Sequence, residues 1–154
     1  MDEEEFRDTL RRVNDQHCVF EKCILNRNAA CARAHLHAIG EREAVGCGHG
    51  AARQQCAALL KLLREKATFA LGMTDTAVAL PHAKALRLQA GGLQGLRRLT
   101  ITATVPDARI DDVSGLVRQL RARYGGLSEL PLETVIRAIA AFRVRRRTRR
   151  RGDY

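Results

Sequence analysis

The chemistry this chain could do lies first in its sulfur and imidazole groups. Five cysteines, Cys18, Cys23, Cys31, Cys47 and Cys56, fall in the first half of the sequence, with five histidines at His17, His35, His37, His49 and His82. Thiolates and imidazoles are the ligands of choice for zinc, Cu(I) and iron–sulfur clusters. The cysteine count is odd. The leading residues Met1-Asp2-Glu3-Glu4-Glu5 are acidic, the reverse of a basic signal-peptide start. A cytoplasmic, reducing location is therefore expected, with thiols or metal ligands in place of a disulfide framework. No cysteine pair has the C-x-x-C spacing that makes zinc and thioredoxin-type motifs specific; the intervals are 4, 7, 15 and 8 intervening residues.

Positioning these groups falls to the elements around them. Residues 2–13 read as a helix, with Asp2 as cap, acidic residues in its first turn and Arg11 and Arg12 at its end, all in accord with the helix dipole. Residues 16–45 are predicted to be one long helix, with Phe20, Ile24, Cys31, Ala34 and Ala38 near one stripe. Its weakest point is Asn26-Arg27-Asn28, because asparagine is a poor helix former. The alternating glycines of Gly46-Cys47-Gly48-His49-Gly50 mark a loop. Residues 51–71 form the clearest helix, with Cys56, Leu59, Leu60, Leu63, Ala67 and Ala70 on one side and Gly72 as its stop. Residues 16–71 then make an αα-hairpin folded about the glycine loop.

That hairpin defines a candidate metal site. Cys31 and His35 stand four apart and share a helix face. An antiparallel partner places Cys56 within about a turn of them, and Cys47 or His49 on the loop completes the set. The expected ligands are Cys31, Cys47 and Cys56 with His35 or His49. Cys23 sits eight residues before Cys31, ~12 Å along an unbroken helix, and joins only if the chain breaks at Asn26–Asn28. The alternative reading is that the cysteines are buried packing residues, since free cysteine behaves as a small hydrophobe.

Beyond residue 72 the patterns weaken, and residues 73–110 are expected to be irregular. Pro81 can open a helix towards Leu96, interrupted by Gly91, Gly92 and Gly95. Residues 99–105 alternate apolar residues with threonine, a strand pattern, and Leu86-Arg87-Leu88 could pair with it in a short β-hairpin. Helices are predicted over 111–124, capped by Asp111 or Asp112 and stopped by Gly125, and over 131–144. The fold class is mainly α: an N-terminal helical hairpin, a short β-hairpin in the middle and two C-terminal helices, making one domain over residues 1–142. A flexible, disordered basic tail follows over 143–154.

Charge is unevenly distributed. The formal net charge is +10, and the tail carries most of it through Arg143, Arg145, Arg146, Arg147, Arg149, Arg150 and Arg151. Such a run neutralises phosphates in a salt-sensitive, sequence-independent way, so RNA or DNA is one expected partner and an acidic protein another. It has no interleaved aromatics to stack bases.

Other catalytic devices are not evident. His37 and Glu41 could share a helix face and hold a metal, but Glu41 and Glu43 do not form a paired-carboxylate device. Ser114 suits a helix cap, no G-x-S-x-G elbow occurs, and the glycine loop lacks the Lys-Ser/Thr of a phosphate loop. Cys47, ahead of a helix, could be a reactive thiol. The leading expectation is a non-catalytic accessory protein binding zinc or an iron–sulfur cluster through cysteine. The alternatives are a nucleic-acid-binding protein using its tail, and an interaction subunit with buried thiols.

Overall fold

The computed structural model describes residues 2–74, 78–100 and 109–143. The chain is mainly α-helical with one antiparallel β-hairpin. Helix α1 (Glu3–Val13) is the expected one: the Asp2 carboxylate accepts from Glu5 N at 2.7 Å, and Asn14 closes the other end. Its first turn is tied to the hairpin through Arg42, which meets Glu3 at 3.1 Å and lies 4.4 Å over the Phe6 ring.

The long helix expected over 16–45 does not form, and with it the helical hairpin over 16–71 is corrected. Helix α2 spans only Glu21–Leu25 and stops at the weak triplet, where Arg27 adopts a left-handed φ of 60°. Strands β1 (Ala34–Ile39) and β2 (Arg42–Cys47) follow, paired in the register Ala34↔Cys47 through Ile39↔Arg42. Gly40, with φ 61°, supplies the positive φ that a two-residue turn requires. Helical spacing of apolar residues in this stretch is outweighed by that turn and by the burial of Ile39, Ala44 and Val45. The residues just before α2 run along the free edge of β2: Cys18 N donates to Val45 O at 2.8 Å, and Cys47 N donates to Gln16 O at 2.7 Å.

Helix α3 (Gly50–Ala67) is the expected amphipathic helix and buries Leu59, Leu63 and Ala67. The chain turns at Gly72, φ 67°. From Pro81 a continuous helical run comprises α4 (His82–Leu86), a π-helical turn (Arg87–Gly91) and α5 (Gly92–Arg98). Leu86–Leu88 are thus helical and offer no strand; most of the strand expected at 99–105 lies outside the described residues. The glycines do not interrupt this run. They let it approach α7 (Leu132–Ala141), because a Cβ on Gly91 or Gly95 would stand 2.9 Å from Ile139 Cα or 2.7 Å from Val135 Cα. Helix α6 (Val113–Tyr124) begins after Asp112 and ends at Gly125 in the left-handed conformation. Phe20, Leu59, Leu63, Leu93, Leu96, Leu120, Val135 and Ile139 pack as one core. Among the described residues, no helix is long and apolar enough to cross a membrane.

Candidate metal centre

Four of the five cysteines line one cavity: Cys18, Cys31, Cys47 and Cys56. Each arrives on a different segment, and the backbone bonding of each segment explains its place. Cys18 is on the stretch hydrogen-bonded to the edge of β2, and Cys47 ends β2 itself. Cys31 is on a segment clamped to the start of α6, where Ala30 N donates to Ile110 O at 2.8 Å and Val113 N to Ala30 O at 2.9 Å. Cys56 lies in the second turn of α3. All four are partly buried, so the cavity sits near the surface with the core beneath it.

The Asp112 carboxylate braces the Cys31 segment. It accepts from Ala32 N at 3.0 Å and from Ser114 Oγ at 3.1 Å, and it also hydrogen-bonds the Cys31 thiol. Partial burial raises the Asp112 pKa, but these bonds, that from Ala32 N–H first, outweigh burial and hold it below the ordinary carboxylate value.

Burial dominates the thiols. It pushes Cys56 up to about 12, with the neighbouring Cys31, Cys18 and Cys47 adding in that order. It pushes Cys18 up to about 11, against a hydrogen bond from the backbone at Phe20, with Cys31 and Cys47 adding again. With values this high, Cys18 and Cys56 are neutral thiols near neutral pH, and only a bound cation would displace their protons. Arg33 and Arg53 also border it, though its wall is almost wholly apolar. Arg53 is pinned by His17, donating to its carbonyl oxygen at 2.8 Å and meeting its Nδ1 at 3.1 Å.

The cavity leaves about 20 Å³ of room, about one water's worth. A metal bonded to sulfur approaches to ~2.3 Å, so this room is on the scale of one bonded ion, and a cluster core of several atoms needs the surrounding segments to draw apart. Among the described residues, no three His, Cys, Asp or Glu side chains form a group that closes on a single metal ion.

Of the residues expected from the sequence, Cys31, Cys47 and Cys56 do come together. Cys23 does not line the cavity: it is 1% exposed in the core, with its pKa raised to about 12 by burial. His35 is carried on a strand and not four residues along a helix from Cys31, and it turns to the other face of the hairpin, over Gly46. His49 caps α3, its Nδ1 accepting from Ala52 N at 3.0 Å. The helical pairing of His37 with Glu41 is lost because one is on a strand and the other in the turn. Cys18 is the residue that sequence reasoning missed. Its only signal is position, just after a helix and before a short one, and its pairing with β2 is a non-local event. Arg143 closes the described chain after α7, donating to Ala140 O at 3.0 Å. The other six arginines of the run, Arg145, Arg146, Arg147, Arg149, Arg150 and Arg151, lie outside the described residues.

Comparison with family models, with curated proteins and with solved structures gives no match.

Proposed function

We propose that this chain is a non-catalytic accessory protein that binds an iron–sulfur cluster through Cys18, Cys31, Cys47 and Cys56. The observation that carries this reading is the convergence of four cysteines from four segments on one cavity. A cationic centre would bind these thiols as thiolates, displacing their protons and stabilising the charged form that burial disfavours. Four sulfurs are a complete ligand set for a cluster. They leave no open coordination position for a substrate, which favours binding over turnover.

Anaerobic purification followed by absorption spectroscopy and by iron, sulfide and zinc analysis tests the reading. A brown protein with iron and acid-labile sulfide in equal amounts is expected. A colourless, metal-free protein with five titratable thiols that takes up neither iron nor sulfide on reconstitution would overturn it. Stoichiometric zinc without iron would replace the cluster by a mononuclear site.

A further inference from the structure

On the opposite face of the hairpin from the cysteines, three polar atoms gather over one glycine. A Cβ at position 46 would lie 2.6 Å from His35 Nε2, 2.8 Å from Asn14 Oδ1 and 2.9 Å from His37 Nε2. The arrangement follows from local structure. His35 and His37 alternate on β1 and so share a face. Gly46 is the cross-strand partner of His35. Asn14 ends α1, which packs on the hairpin.

The asparagine makes this more than ring packing over a glycine. Asn14 is 5% exposed. Its Nδ2 donates to Val45 O at 3.1 Å, which orients the amide and turns Oδ1 towards the two imidazoles. That oxygen is buried and has no hydrogen-bond donor. A buried acceptor left without a donor costs ~1–3 kcal/mol, and neither imidazole, though close, meets it as a donor. The two rings stand nearly perpendicular, 86° apart with centroids separated by 4.7 Å, so they are not stacked flat. A cation between the three would give that buried oxygen a partner.

We propose that Asn14 Oδ1, His35 Nε2 and His37 Nε2 form a second metal site, for a single divalent transition ion of the Zn²⁺, Ni²⁺ or Cu²⁺ class. Imidazole nitrogens favour these ions over Mg²⁺ and Ca²⁺. An ion cannot take the place of a Cβ at position 46, which would be bonded to Gly46 Cα; it would stand further from the glycine, with the three side chains closing on it at ~2.0–2.2 Å. His35 is exposed and His37 half-buried, so water can complete the coordination and the ion can exchange with solvent. Gly46 is part of the device, because any side chain there would fill the floor of the cradle. None of its three ligand side chains lines the cysteine cavity, which only Gly46 of this site borders, and the proposal does not rest on that cavity.

The test is Zn²⁺ titration by calorimetry on the full chain. It compares wild type, the double variant His35→Ala/His37→Ala, and Gly46→Ala. Wild type is expected to bind one more equivalent of Zn²⁺ than the double variant, and that equivalent is expected to weaken at least tenfold in Gly46→Ala. Iron and sulfide uptake should stay the same in the double variant. Circular dichroism checks that each variant folds; should Gly46→Ala fail to fold, Asn14→Asp replaces it and is expected to tighten the site by adding a charge. Equal Zn²⁺ stoichiometry in wild type and the double variant would overturn the proposal. So would loss of the extra equivalent in Cys56→Ala with its retention in the double variant.

Discussion

Cys23 and Cys56 lie on elements of the same core and have similarly raised pKa values, of about 12 each, yet the proposed site gives them opposite roles. Replacing each with alanine separates packing from ligation. Cys23 is 1% exposed and does not line the cavity. Deleting its sulfur removes about one methylene-sized group, ~0.8 kcal/mol of transfer energy, and leaves a small void in rigid surroundings. The total is expected to be ~1–2 kcal/mol, or a fall in melting temperature of roughly 2–8 °C for a domain of this size. Its cluster content should be unchanged. Cys56→Ala removes a proposed ligand from a partly exposed wall, so the apo protein should lose less stability than Cys23→Ala. Its iron and sulfide content on anaerobic reconstitution should drop severalfold. The assay is parallel thermal unfolding of the apo forms and metal analysis of the reconstituted forms. Equal loss of iron in both variants, or full iron content in Cys56→Ala, would refute the assignment of these two residues.

Further outcomes follow from the same structure. The Cys23 thiol is held near 12 against an ordinary 9.0, so the folded state binds the extra proton between those values. Its contribution to stability is complete below pH 9 and should fall by ~1.4 kcal/mol per pH unit above it. Urea unfolding of the reduced apo protein at pH 8 and pH 10 checks this, with Cys23→Ala showing a shallower loss. Asp112→Asn should cost ~1–2 kcal/mol by weakening the bonds from Ala32 N and Ser114, and should loosen Cys31 enough to lower iron retention during chelator challenge. Because the Asp112 pKa is depressed, its contribution is present above the ordinary 3.8 and is lost as pH falls through the folded value; the Asn variant should therefore show less acid sensitivity. Deleting residues 144–154 removes six arginines, and the truncated chain should leave a heparin column at clearly lower salt. Elution at unchanged salt would place polyanion binding elsewhere on the molecule.

Local signals in the sequence were enough for α1, α3, α6 and α7. Asp2 and Asp112 mark starts, Gly125 marks a stop, and the apolar positions of α3 recur at helical spacing. Each of these features is decided within a few residues, which is why it can be read from the chain alone. Local signals also flagged Asn26–Asn28 as the point where a long helix would fail, and the chain breaks there. They could not say what replaces the helix. The β-hairpin is decided by pairing across Gly40 and by burial of Ala44 and Val45 against the rest of the protein, and pairing energies are not written in a helical stripe. Likewise, Gly91 and Gly95 look like helix breakers until α7 lies against them.

The candidate site divides in the same way. Which side chains could bind a metal was plain from residue type: a cluster of cysteines in a small stretch, with no competing catalytic set. Which of them meet was decided only by tertiary structure. Cys18 is drawn in by hydrogen bonds to β2, Cys31 by the clamp to α6, and Cys23 is turned into the core by the short helix that carries it. Chemistry belongs to single residues and survives any folding, whereas convergence depends on contacts between segments far apart in the chain. Those contacts arise from burial and backbone pairing, and no interval between cysteines encodes them.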